Sequence, residues 1–160
     1  MTDQKKTPSL AWQGEMLKVV AEIIEETAFS EVRGLALAPV YHPKARGVSL
    51  LIHKPVQGEF LLCMEQELLT HLSTLVYGPT FAEITSGLEG DFLAELLNII
   101  AGRFLAAILP PEQGFSLGLP VGAQGPMTCP APPCLSWHFS VDEMPFTLLL
   151  HGESILTLAP

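Results

Sequence analysis

Basic side chains are scarce in this sequence: 8 Lys and Arg stand against 17 Asp and Glu, a formal net charge of −9. Nucleic-acid binding needs a Lys/Arg-rich surface to neutralise phosphates. The only clustered pair is Lys5-Lys6, so DNA and RNA are excluded as partners. The same acidity argues against an anionic membrane surface. A long uncharged apolar run is also missing. The most apolar stretch, Phe92 to Leu109, is interrupted by Glu95, Asn98 and Arg103 and stopped by Pro110-Pro111. A membrane-spanning helix needs roughly twenty mostly apolar residues, so this stretch reads as a buried helix. Residues 1–9 are polar, lack an apolar signal core and read as a disordered tail. A cytoplasmic location is expected.

Cysteine is too sparse for a disulfide framework: Cys63, Cys129 and Cys134. The last two bracket a proline-rich run, Cys129-Pro130-Ala131-Pro132-Pro133-Cys134. A metal centre there would need two more ligands, and His42, His53, His71, His138 and His151 are scattered. The cysteines therefore read as reduced thiols, the histidines as surface or strand residues, and no metal is expected. No glycine-rich phosphate loop and no Gly-x-Ser-x-Gly elbow occur.

What is present is apolar. Hydrophobic residues make up 48% of 160, and charged residues 16%. That balance predicts one globular domain over residues 10–160. Trp12, Met16, Val19, Val20, Ile23, Ile24 and Thr27 recur at helical spacing, which predicts a first helix near 12–29. Strands follow at Leu35–Val40, Gly47–His53 and Glu59–Cys63, then a helix over Glu65–Tyr77 stopped by Gly78-Pro79. Residues 79–87 are a connector. A third helix runs from Leu88 to Leu109. Strands near Phe115–Val121, Leu135–Val141 and Phe146–His151 complete the pattern, with a long loop from Gly122 to Pro133 and a hairpin turn at Asp142–Pro145.

This order suggests a duplicated unit. Gly14-Glu15-Met16-Leu17-Lys18-Val19-Val20-Ala21-Glu22-Ile23-Ile24 aligns with Gly90-Asp91-Phe92-Leu93-Ala94-Glu95-Leu96-Leu97-Asn98-Ile99-Ile100. Gly34 to Val40 likewise aligns with Phe115 to Val121. Helix and strand agree in the same order, which is the mark of a repeat. The alignment sets Val19 opposite Glu95 and Glu22 opposite Asn98, so a polar site on the third helix has no counterpart on the first. The fold class expected is α+β, with helices packed on an antiparallel sheet and a pseudo-twofold duplication of a helix–strands unit.

Asp91, Glu95, Asn98 and Gly102 stand at steps of four, three and four, which puts them on one face of the third helix. Leu93, Leu96, Leu97, Ile100 and Phe104 take the other faces. Burying a Glu and an Asn without partners is costly, so these two should face solvent or another protein. Asn98 is the chain's only asparagine, and Asn competes with the helix backbone for hydrogen bonds. On the helix pattern alone, a merely solvated polar face remains an alternative. For Gly102, simple helix packing stands beside close approach of a partner backbone. The run Glu22, Glu25, Glu26 reads as a solvated face.

Asp91, three residues, Glu95, two residues, Asn98, twenty-one residues, Pro120 resembles the signature of the CheC/CheX/FliY chemotaxis phosphatase family. The stretch from Glu95 to Gly102 is similar to the CheX version of the helix, and a site on one helix alone fits CheX better than CheC. The resemblance implies hydrolysis of the phosphoaspartate of a CheY-type response regulator. Asn98 would orient the attacking water, and Glu95 would pair with the regulator's Lys. Asp91 would be a docking contact and Gly102 a close-approach position. It implies no cofactor of the chain's own, Mg²⁺ on the regulator, and a homodimer. A non-catalytic relative that binds a partner through the same helix is the alternative. The Cys129–Cys134 loop departs from the family in being longer and richer in proline.

Overall fold

The structure, a computed structural model, describes residues 10–78, 87–130 and 132–159. The tail over residues 1–9 and the connector over residues 79–86 lie outside them.

Helix α1 spans Leu10–Ala28, and Trp12, Met16, Val19, Val20, Ile23 and Ile24 are buried along it. Strand β1 follows at Arg33–Leu35, then β2 at Arg46–Lys54 and β3 at Gly58–Met64. Helix α2 is Gln66–Tyr77 and α3 is Gly87–Ile108. The chain then runs through β4 (Ser116–Leu117), β5 (Val121–Gln124), β6 (Cys134–Val141) and β7 (Met144–His151) to a short α4 at Glu153–Leu156. Gly78 closes α2 with φ at 92°, a backbone conformation that residues with a Cβ rarely adopt. Asp142 and Glu143 join β6 to β7 with φ at 48° and 66°, and Val141 pairs directly with Met144. Positive φ at both central residues is the tight hairpin turn that matches strand twist.

All strand pairs are antiparallel, in the order β1-β6-β7-β3-β2-β4, with β5 also paired to β2. Exchanging β1 with β4/β5, β2 with β6 and β3 with β7 reverses that order into itself, which is the duplicated unit expressed as topology. Each half gives its edge strand to the other half: β1 pairs with β6, and β4 and β5 pair with β2. The helix–strands duplication on an antiparallel sheet is therefore the observed architecture.

Alternation decides the two faces of the sheet. Val48, Leu50 and Ile52 of β2, with Trp137, Phe139 and Val141 of β6, are buried in one core with the inner stripes of α1, α2 and α3. Phe104 sits at its centre, edge-on to Trp12, Phe60 and Trp137 at centroid distances of 5.5, 6.1 and 6.0 Å. On the opposite sheet face the loop after β5 covers Gly47, while Leu51 stands exposed. A Cβ on Gly47 would lie 2.3 Å from the Met127 sulfur, so glycine is what lets that loop lie flat on β2.

Two strands differ from expectation. The strand expected at Leu35–Val40 lies earlier, at Arg33–Leu35, sharing only Leu35 with the expected run, and Leu37 and Val40 stand exposed beyond it. The run Phe115–Val121 breaks between Leu117 and Val121. Pro39 and Pro120 occupy equivalent places in the two copies, and proline has no N–H to give a ladder.

Candidate functional site

The inner stripe of α3 is Phe92, Leu93, Leu96, Leu97, Ile100, Ala101, Phe104 and Leu105, all buried. That apolar anchoring leaves one orientation for the polar stripe. Asp91, Glu95 and Asn98 are exposed and Gly102 is half-buried. Glu95 and Asn98 stand about one helical turn apart and point the same way. Among the described residues, no hydrogen bond engages the Asn98 carboxamide.

Gly102 is not demanded by packing, because a Cβ there would meet nothing within 4 Å. Among the described residues, packing therefore gives no reason for this glycine. Gly90 differs: a Cβ there would lie 3.4 Å from the Arg46 guanidinium. Pro120 is half-buried between β4 and β5, on the sheet edge beside β2.

Neighbouring elements frame the stripe. Glu89, in the first turn of α3, accepts hydrogen bonds from the Gln66 amide and, at 3.4 Å, from the Thr70 hydroxyl, tying α2 to α3. Arg103 pairs with Glu26 of α1 at 3.1 Å across an exposed gap, a contact worth about 0–1 kcal/mol. Glu22 and Glu25 remain exposed, as a solvated face requires.

Sequence reading missed Tyr77. It ends α2, and its ring stands edge-on to Phe92 at 6.2 Å. Burial, then the carboxylates of Glu95 and Asp91, hold its phenol above the usual tyrosine range. The phenol thus belongs to the same acidic face and stays neutral there. Only the contact between α2 and α3 reveals this, since residue 77 lies eighteen positions from residue 95.

The duplication places no second site on α1. Val19, the counterpart of Glu95, is buried in the core. Among the described residues, no group of three or more His, Cys, Asp or Glu is placed to hold a metal ion, and no helix is long and apolar enough to cross a membrane.

Solved structures share this arrangement over most of the chain. Chemotaxis protein CheX from Desulfovibrio desulfuricans superposes with a TM-score of 0.69 at 11% identity, covering 89% of this chain and 99% of that one. CheX from Vibrio vulnificus gives 0.68 at 12% identity over 88% and 97%. The CheX of a CheX–CheY–BeF3–Mg²⁺ complex from Borrelia burgdorferi gives 0.67 at 16% identity over 87% and 96%. The chain has the CheC/CheX/FliY fold. No family model matches the sequence, and no curated protein does. At this identity the CheX-like backbone is retained while most side chains differ, so the stripe on α3 has to be argued from its own chemistry.

Proposed function

We propose that this chain is a phosphatase for the phosphoaspartate of a CheY-type response regulator, with Asn98 and Glu95 as its working pair. The observation that carries the reading is the outward placement of a carboxylate and a carboxamide, about one turn apart, on the central helix of a CheX-like fold. One solved neighbour, a CheX, was captured with CheY, BeF3 and Mg²⁺, which supports a receiver domain as the partner here.

Phosphoryl transfer passes through a loose transition state, so positioning and electrostatics supply most of the catalysis. The regulator brings Mg²⁺ and a Lys to the phosphate, and this chain needs no cofactor of its own. What the complex gains is an oriented water. The Asn98 side-chain carbonyl accepts a hydrogen bond from that water and holds it in line with the phosphorus. Water oxygen bonds to phosphorus, the bond to the aspartyl oxygen breaks, and the regulator's carboxylate and inorganic phosphate leave. A carboxamide takes no proton in this step. Glu95 pairs with the regulator's Lys and fixes the register of docking, an interaction strengthened as the interface loses water. Asp91 adds a docking contact, and Gly102 leaves room for the partner's backbone. A homodimer belongs to the same reading, with the exposed edges at β1 and β5 offering unpaired backbone to a second copy.

Phosphate release from phosphorylated receiver domains of the same genome tests the proposal. The wild type should accelerate release. Asn98→Ala should return it to the receiver's own rate, with an unchanged circular dichroism spectrum because Asn98 is exposed. A wild type that leaves every receiver at its own rate defeats the proposal. Tight binding without any change in phosphate lifetime would instead establish the non-catalytic alternative.

A further inference from the structure

The sheet face away from the helices carries a cleft of about 420 Å³ between the segment ending at Tyr41, the loop after β5, and strands β6 and β7. Alternation along β6 turns Cys134, Ser136 and His138 to this face, opposite the core residues Leu135, Trp137 and Phe139. Most polar groups of the cleft satisfy one another. The hydroxyls of Tyr41 and Thr147 lie 2.5 Å apart, and Thr147 Oγ1 lies 2.9 Å from His138 Nδ1. Burial holds the Tyr41 phenol far above its usual range. That chain is a structural tie with no group to spare for chemistry. The two thiols that line the same cleft, Cys129 and Cys134, are different. Cys129 is exposed, and Cys134 is half-buried with its Sγ 3.6 Å from the Leu135 carbonyl oxygen.

We propose that Cys129 and Cys134 are a reversible oxidation site, a dithiol that closes to a disulfide at the rim of this cleft. The two thiols line one cleft, and burial followed by the neighbouring Cys129 thiol pushes the Cys134 thiol up to about 12. The exposed Cys129 is the sulfur that an oxidant reaches first, and Cys134 is the resolving thiol. Four residues separate them, three of which are Pro130, Pro132 and Pro133. Proline removes backbone freedom from the open form, so closing this ring costs less entropy than closing a flexible one. A short ring also restrains the unfolded chain less than a long one, which suits a reversible bridge better than a structural one.

With a low-molecular-weight disulfide as oxidant, the Cys129 thiolate attacks one of its sulfurs and releases one thiolate. The mixed disulfide forms on Cys129. Cys134, losing its proton, attacks Cys129 Sγ and displaces the second thiolate. Two protein thiols lose two electrons and two protons, and the oxidant is reduced to two thiols. Cys63, 1% exposed on β3, takes no part and serves as an internal control.

The test is equilibration of the full chain with oxidised and reduced glutathione, followed by intact-mass measurement and thiol counting under native conditions. Wild type and Cys63→Ser should lose two hydrogens without retaining glutathione, and excess reduced glutathione should restore both thiols. Cys134→Ser should instead accumulate a stable glutathione adduct on Cys129. A wild type that keeps all its thiols, or that ends as a glutathione adduct with no internal bridge, overturns the proposal.

Discussion

Asn98 was legible in the sequence because a carboxamide in an otherwise apolar helix has one inexpensive place to be, the solvent side. Gly102 was half legible: its spacing put it on the stripe, but only coordinates show that a side chain there would meet nothing. A glycine in mid-helix costs about 0.5–1 kcal/mol relative to alanine. Among the described residues, no contact requires that cost at Gly102. Gly102→Ala should therefore raise stability by about 0.5–1 kcal/mol, read from the urea midpoint, and weaken binding of a BeF3-activated receiver. If the variant is stabilised and binds as well as wild type, Gly102 plays no part in docking. Tyr77 was illegible for the opposite reason. Its neighbours Glu95 and Asp91 lie on another helix, and no periodicity within α2 reports a contact with α3.

At the scale of elements, the three long helices were read closely because each carries a buried stripe, while the short α4 at Glu153–Leu156 was not foreseen; α3 at Gly87–Ile108 differs from the expected Leu88–Leu109 by one residue at each end. The edge strands were misplaced: β1 lies at Arg33–Leu35 instead of Leu35–Val40, and the run Phe115–Val121 is split into Ser116–Leu117 and Val121–Gln124. Apolar residues such as Leu37, Val40 and Leu119 look like strand residues, yet they stand exposed next to Pro39 and Pro120, which have no N–H to give a ladder. The central strands were read well, and the face of the sheet without helices carries a pH dependence. Burial lowers the pKa of His138 below the ordinary histidine value of 6.5. Neutral His138 shares a hydrogen bond with the Thr147 hydroxyl, which shares another with the Tyr41 phenol. The unfolded chain takes up the proton at higher pH than the folded one. Stability is thus complete above the ordinary histidine value and is lost as pH falls through the lower folded value. His138→Gln retains an acceptor without titrating. Its urea midpoint should change less than the wild type's between about pH 7 and about pH 5. Equal losses in both proteins would show that other groups govern acid sensitivity.

For the whole molecule, the duplication was visible in the sequence and the exchange of edge strands was not. Repeated helix and strand patterns are local, whereas pairing β1 with β6 joins residues Arg33 and Ser140 across the length of the chain. That exchange makes the two halves one cooperative unit, since neither keeps a complete sheet without the other. Phe104 is the side chain on which this unity is easiest to test. It is fully buried and touches rings from α1, β3 and β6, that is, from both halves. Phe104→Ala removes the ring and leaves a cavity, a change that costs about 3–5 kcal/mol in buried sites. Against a total stability of roughly 5–15 kcal/mol, most of the margin would go. The midpoint of urea denaturation should fall accordingly, and tryptophan fluorescence and far-ultraviolet circular dichroism should shift together. Separate transitions for the two signals would mean that the halves unfold independently and that the shared edges do not bind them into one unit.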